Sequence, residues 1–472
     1  MSIKSLGQQS LIYGFGHIMA RLVTFLLLPL YTHVFTREQY GIISLAYAFI
    51  GFTMILYHYG MDTALMKYSV QEKGDIRKKC IAVILFSQLI TGLILSGFIY
   101  VFRKKISVMI LGSAAPEWMA YLSIILFLDS IWNLPMIILR SEEKPVSYLT
   151  LSLLNVVTTM GLNILFVVKM NKGIVGVFEA NIIASGLIFI LTLPMIISRS
   201  GFFSFDKEIL KKVIKFALPF FPAGIFTMIM ELSDRYLLEW LTDTASVGLY
   251  SAGKKLGMLG LVAVMGFNMG WTPYFLKRGG KPGARKEFAK VTTLFLGILG
   301  FIIMVVILWV PEIMRLPIGG RTLIGQEFWS CEPVVGSILI GYFFFGTYIL
   351  QLPGIYMKEI TRWVPIFRAI GAGIMIVAGI VLIPQIGVMG ASYAVIIAFF
   401  SMSLSVFLKT RNLYSVPYNW IAIIYPLIFL LFSVIIHTDL IINWVISIVY
   451  PVGWYILVLN TEERSGLKKL IP

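Results

Sequence analysis

Apolar stretches of about 20 residues alternate with short polar joints along the whole chain. As helices, such stretches cross a hydrocarbon core roughly 30 Å thick. The pattern therefore predicts an all-α integral membrane protein with about 14 transmembrane helices. The first six are read over Leu11–Val34, Tyr40–Gly60, Lys79–Phe102, Glu117–Leu139, Val146–Val168 and Gly173–Ile197. The next six run over Phe216–Trp240, Gly248–Tyr274, Val291–Val310, Val334–Leu352, Val364–Ile383 and Gly387–Leu408. Trp420–Ile436 and Leu440–Leu459 complete the set. The apolar run at Leu11–Phe35 is too long for a signal-peptide core and lacks a small-residue cleavage site, so it counts as a span.

Two internal matches organise the helices. Lys172–Ala180, KGIVGVFEA, aligns with Ile386–Ala394, IGVMGASYA, at an offset of 214, superposing Gly173 on Gly387, Gly176 on Gly390 and Ala180 on Ala394. The joint Thr36–Ile42 resembles Thr242–Leu249 at an offset near 207. Six helices separate the copies, and an even number preserves orientation, which predicts two parallel six-helix lobes related by an axis along the membrane normal. The expected division is an N-terminal lobe over 1–200 and a linker over 201–215, then a C-terminal lobe over 216–410 and two added helices with a tail over 411–472. The linker reads GFFSFDKEILKKVIK, a basic amphipathic helix on the inner surface.

Charge placement orients the chain. Most Lys and Arg fall in the joints after even-numbered helices and at the termini, and the positive-inside rule then puts both termini in the cytoplasm. This distribution also accounts for the formal net charge of +16 without a nucleic-acid partner. The longest outer joint, Pro311–Pro333, is too short for a catalytic domain, and no phosphate-cradling GxxxxGK[ST] loop occurs. The two cysteines, Cys80 and Cys331, fall at opposite membrane faces in this topology and are not expected to pair.

Charges inside the spans are the candidate chemistry, because burying one in lipid costs about 2.5–3.5 kcal/mol even on insertion scales. Met228–Lys255 concentrates them: Glu231, Arg235 and Glu239 recur at i, i+4 and i+8 with Asp234 beside them, and Lys254 and Lys255 follow a short turn. That face must meet protein or water. Arg21 lies near the middle of helix 1 with His17 one turn before it, and Asp129 lies near mid-depth in helix 4.

Several segments resemble a known family. SDRYLLEWL at Ser233–Leu241, VGLYSAGKKLG at Val247–Gly257, GMDTALMKY at Gly60–Tyr68 and WTPYF at Trp271–Phe275 are similar to the polysaccharide-transport, or oligosaccharide flippase (Wzx-like), family. That family belongs to the multidrug/oligosaccharidyl-lipid/polysaccharide exporter superfamily. The resemblance covers the whole chain. It implies alternating access through a central cavity that carries a polyprenyl-pyrophosphate-linked oligosaccharide outward across a bacterial inner membrane for surface polysaccharide such as O-antigen, capsule or exopolysaccharide. Partners implied with it are membrane lipids, a glycan polymerase and its chain-length machinery.

Such cargo needs fixed positive charge for its phosphates and a wet route for its sugars. Arg21, with His17, is a candidate phosphate or sugar ligand, or else pairs structurally with Asp129 or Glu231. Arg235 is either locked between Glu231 and Glu239 or forms part of a gate with Asp234. Lys254 and Lys255 either snorkel outward or place one ammonium on the cargo. Glu231 and Asp129 are candidates for H⁺ or Na⁺ coupling; no other cofactor and no metal site is expected. Tyr57, Tyr59 and Trp271 are read as packing or belt residues, and Asp62 as a helix-end charge. Competing readings are a cation-coupled small-molecule exporter, a flippase for lipid-linked peptidoglycan precursor, and a membrane glycan polymerase or ligase. The last lacks outer-loop carboxylate pairs and clustered metal ligands, so the protein is not expected to be an enzyme.

Overall fold

The computed structural model describes residues 25–200, 206–435, 440–461 and 464. Nearly all of them are helical. Twelve helices among the described residues are long and apolar enough to cross a membrane, and two shorter apolar helices, Phe25–Val34 and Ile421–Ile435, occupy the places of expected spans one and thirteen. The all-α membrane architecture with about 14 spans is therefore what the chain adopts. Contacts divide it into two compact units, Met1–Gly248 and Leu249–Pro472.

The first unit contains α1 (Phe25–Val34), α2 (Arg37–His58), α3 (Met61–Gln71), α4 (Gly74–Val101), α5 (Arg103–Leu111), α6 (Pro116–Ser141), α7 (Pro145–Asn163), α8 (Gly173–Ser200), α9 (Lys207–Ala217) and α10 (Phe221–Leu241). Two of these replace expected joints. In α3, Met61, Ala64, Leu65 and Tyr68 are buried at i, i+3, i+4 and i+7, an amphipathic stripe short enough to pass for a loop in a search for spans. That stripe packs with Cys80, Ile84, Leu134, Ile138, Ile196, Val213 and Ala217 into one core from α3, α4, α6, α8 and α9. Asp206 caps α9, accepting bonds from the Glu208 and Ile209 amides at 2.9 and 3.1 Å. The amphipathic linker helix is therefore seated by an apolar face while Lys207, Lys211 and Lys212 remain exposed.

The repeated joint has a reciprocal structure. Thr36 and Asp243, 207 positions apart, occupy equivalent helix starts: Thr36 Oγ1 accepts from the Gln39 amide at 3.3 Å, and Asp243 Oδ1 from the Ser246 amide at 2.7 Å. A Cβ on Gly41 would be driven into the Thr244 carbonyl, and one on Gly248 into the Arg37 carbonyl. Since Arg37 corresponds to Thr244 and Gly41 to Gly248, each copy offers a glycine to the other's first-turn carbonyl. The second match is also conformational, since Gly173 and Gly387 both have positive φ, 60° and 55°, immediately at a helix start.

α11 (Thr244–Arg278) leads into the second unit, followed by α12 (Ala284–Arg315), α13 (Glu332–Met357), α14 (Trp363–Ile386), α15 (Val388–Thr410), α16 (Ile421–Ile435) and α17 (Leu440–Gly453). A two-residue hairpin pairs Pro317 with Thr322 across Gly319 and Gly320, whose φ values of 59° and 81° fit a type I′ turn. Gly253, Gly257 and Gly260 of α11 abut Val334, Ile338 and Leu339 of α13, a small-residue seam that lets the helices approach closely. Most of α13 is buried. Cys80 and Cys331 are both buried free thiols.

The reciprocal joint predicts that Gly41→Ala and Gly248→Ala each destabilise the protein by about 1–3 kcal/mol through overpacking. Gly373→Ala, where a Cβ meets nothing within 4 Å, should leave the melting temperature in detergent unchanged or slightly raised. Equal melting of all three variants would show that the joint is not a close contact.

Candidate functional site

Polar side chains within apolar helices assemble first around Asp129 of α6. Its Oδ1 accepts a hydrogen bond from Ser185 Oγ of α8 at 2.5 Å and from Trp132 Nε1 one turn along α6 at 2.8 Å. Asn181, one turn before Ser185, donates through Nδ2 to Tyr47 Oη of α2 at 3.5 Å. Two helices, α6 and α8, thus supply donors to a carboxylate that could not otherwise stay inside an apolar span. His58 stands in the last turn of α2. Its Nδ1 lies 2.7 Å from Asp62 Oδ1 and 3.4 Å from Gln88 Nε2.

Sequence reasoning found Asp129 but neither its donors nor the His58–Asp62 pair, having treated Asp62 as a helix-end charge. Asn181 and Ser185 are spaced i, i+4 within an otherwise apolar helix, and that spacing was the available signal. Tyr57 and Tyr59 prove to be packing residues, with Tyr57 Oη 2.7 Å from Ser96 Oγ and Tyr59 Oη 2.6 Å from Ser87 Oγ. Trp271 is buried and donates to the Ile349 carbonyl at 3.2 Å.

The α10 charges are distributed unequally. Asp234 is completely buried and its Oδ1 accepts from the Arg235 amide at 2.9 Å, whereas Glu231 is exposed. Arg235 Nε and Nη1 are buried, yet they have no hydrogen-bond partner among the described residues. No ion pair there joins Arg235 to Glu231 or Glu239. Glu239 instead turns to the repeated joint, where its Oε1 accepts from Thr244 Oγ1 at 2.9 Å and presses on the side-chain-free Cα of Gly112. Lys254 and Lys255 of α11 are half-buried, and Lys254 Nζ stands 5.7 Å from the centre of the Tyr250 ring. With Gly253 and Gly257 against α13, helical geometry puts Lys255 on the opposite side of α11 and Lys254 on its flank. Arg21 and His17 lie outside the described residues.

A second polar centre forms at the expected cytoplasmic helix ends of the first unit. Glu142 Oε1 accepts from Arg199 Nε at 2.7 Å and Arg77 Nη2 at 2.8 Å, while Oε2 accepts from Arg199 Nη2 at 2.8 Å and stands 3.0 Å from Lys144 Nζ. One carboxylate thereby fastens the start of α4 to the ends of α6 and α8. The hydrogen bonds from Arg199, reinforced by Arg77 and Lys144, hold Glu142 well below the ordinary carboxylate range. Nearby, Lys212 of α9 pairs with Glu72 at 3.0 Å.

Residues 6–278, more than half of the chain, match the model of the family described as polysaccharide biosynthesis protein. The chain belongs to that family. No curated protein matches it. Among solved structures, the lipid II flippase MurJ in an inward closed conformation is similar at a TM-score of 0.75 and 16% identity, over 98% of this chain and 100% of that one. An inward-facing multidrug resistance MATE family transporter of the MOP superfamily reaches a TM-score of 0.64 at 15% identity, over 84% of this chain and 97% of that one. An outward-facing transporter of the same description reaches 0.56 at 17% identity, over 87% and 95%. At such identities the likeness is one of fold. The polysaccharide biosynthesis family member is thus a multi-pass membrane protein with a transporter fold, as the motifs at Ser233–Leu241 and Val247–Gly257 led us to expect.

The Glu142 clamp carries a pH dependence. Because its folded pKa is depressed, its contribution is complete above the unfolded value of about 4.3 and is lost as pH falls from there toward the folded value. Glu142→Gln should cost about 1–2 kcal/mol at pH 7. Melting curves at descending pH should show a constant gap down to about pH 4 and wild type and variant converging below it; no gap at pH 7, or a gap unchanged well below about pH 4, would remove the clamp from the account of stability.

Proposed function

We propose that this protein is a flippase that moves polyprenyl-pyrophosphate-linked oligosaccharide from the cytoplasmic to the outer leaflet of a bacterial inner membrane by alternating access, for surface polysaccharide assembly. Both termini then face the cytoplasm. The observation that carries this reading is Arg235, half-buried on a membrane helix, whose buried Nε and Nη1 have no hydrogen-bond partner among the described residues. Keeping guanidinium nitrogens buried and unbonded inside a span is costly. It becomes intelligible if an anionic group arrives during the working cycle, and a pyrophosphate offers oxygens in a geometry that a guanidinium bonds bidentately. Membership of a polysaccharide biosynthesis family supports saccharide as the rest of the cargo. Arg21 is assigned the companion cationic role with His17, and Lys254 or Lys255 a further contact; Glu231, Asp234 and Glu239 supply the acidic side of the gate.

Proteoliposomes loaded with a labelled polyprenyl-pyrophosphate oligosaccharide test the proposal at matched amounts of folded protein. Wild type should translocate it, and Arg235→Ala and Arg21→Ala should each lower the rate about tenfold or more, the scale of one lost charge-assisted contact. Arg235→Lys should recover only part, since an ammonium cannot reproduce the planar fork. Full transport by all variants would discard the cationic site, and transport of lipid-linked peptidoglycan precursor alone would change the cargo.

The Asp129 cluster favours a second element, coupling to H⁺ or Na⁺, because a carboxylate held by neutral donors from two helices can exchange one cation for another at small structural cost. Transport should then depend on an imposed H⁺ or Na⁺ gradient in wild type and lose that dependence in Asp129→Asn. Gradient-driven efflux of small molecules without any lipid translocation would instead favour the exporter reading.

A further inference from the structure

Within the second unit, the end of α12, the start of α13, the end of α16 and the start of α17 enclose a cavity of about 390 Å³. Its origin is local. Pro311 has no amide hydrogen to give, so the Ile307 carbonyl loses its helical donor at the cavity wall, and the next carbonyl, Leu308, is met by Asn443 Nδ2 of α17 at 3.0 Å. Glu312 follows on α12, with Oε2 buried and lacking a hydrogen-bond partner among the described residues. Glu332 contributes a second carboxylate from the first turn of α13, Arg315 lines the same space, and Ile307 and Val434 give it an apolar side.

Aromatic residues fix its depth. Trp309 and Trp444, one on each of two lining helices, meet edge to face at 5.0 Å, and Arg315 stands 5.0 Å from the ring of Trp329. Tryptophans gathered at helix ends mark the level of lipid headgroups. The space far exceeds the roughly 30 Å³ share of one water and falls in the range of small-molecule sites. Its chemistry is specific: the buried Glu312 oxygen and a freed carbonyl ask for N–H donors, Glu332 adds negative charge beside them, a guanidinium suits an oxyanion, and the apolar side suits acyl chain.

We propose that this cavity binds the headgroup of a phospholipid in which a primary ammonium is joined to a phosphate, as in phosphatidylethanolamine. The ammonium donates to Glu312 and Glu332, the phosphate lies against Arg315, and the first acyl carbons follow Ile307 and Val434. The site is independent of the cargo reading above, since it uses none of the residues assigned to the oligosaccharide.

The test is lipid retention by the full-length protein, measured by native mass spectrometry after titration with phosphatidylethanolamine, its N-methylated forms, phosphatidylcholine and phosphatidylglycerol of identical acyl chains. Wild type should retain phosphatidylethanolamine best, with retention falling stepwise as N–H donors are replaced by methyl groups. Glu312→Gln and Glu332→Gln should each reduce that preference about fivefold to tenfold without changing the melting temperature of the delipidated protein. Excess water-soluble phosphoethanolamine should displace the lipid, which distinguishes headgroup recognition from acyl-chain adhesion. Equal retention of all the lipids, or an undiminished preference in both folded variants, would overturn the proposal.

Discussion

Backbone meets backbone where Gly41 faces the Thr244 carbonyl and Gly248 faces the Arg37 carbonyl, and much of the first unit is arranged by that contact. Between helices in lipid there is no hydrophobic gain from leaving water, so close van der Waals approach carries a larger share of the association than it does in a soluble core. Two glycines 207 positions apart provide it twice. The same corner holds the Thr36 capping box and Asp243 cap and receives Glu239, whose carboxylate fits only because Gly112 has no side chain. The joint therefore sets where this acid near the end of a membrane helix sits.

Neighbouring charges meet different solutions according to depth. Glu142, at a helix end, is surrounded by Arg77, Arg199 and Lys144, a surplus of cations that can persist where solvent screens the excess. Asp129, inside a span, is met by the neutral donors Ser185 and Trp132, which satisfy its oxygen without adding a second charge to be desolvated. Arg235 fits neither solution, because its buried nitrogens are unmatched among the described residues. A polar group left unbonded in a well-satisfied neighbourhood is more informative than one that is merely buried.

Most of this fold was legible because a bilayer restricts the chain so strongly. Length and hydropathy located nearly every span, and the glycine pattern of two short repeats located helix starts that prove conformationally alike, with Gly173 and Gly387 both at positive φ. The reading failed where the lipid rule does not apply. α3 and α5 are too short and too polar to register as spans, and their helicity comes from packing on α6, which no single-segment pattern reports. The site was legible to a lesser degree. Asp129 stands out against leucine and isoleucine, but its donor Ser185 lies 56 positions away, and ordinary serines in membrane helices bond their own backbone. The disposition of the α10 charges depends likewise on partners outside the helix: i, i+4 spacing permits Arg235 to meet Glu239, but Thr244 Oγ1 donates to that acid instead.

The break between α2 and α3 ties these features together. Tyr59 and Gly60 both adopt positive φ, 32° and 85°, ending one helix and starting the next. The His58–Asp62 pair spans that break at 2.7 Å, with one partner in the last turn of α2 and the other in the first turn of α3. Above the break, α2 carries Tyr47 toward Asn181 and the Asp129 cluster; below it, α3 carries the apolar stripe that seats α9. Gly60 itself abuts the Ala217 carbonyl at the end of α9, so a change of angle at the break must also move the linker helix.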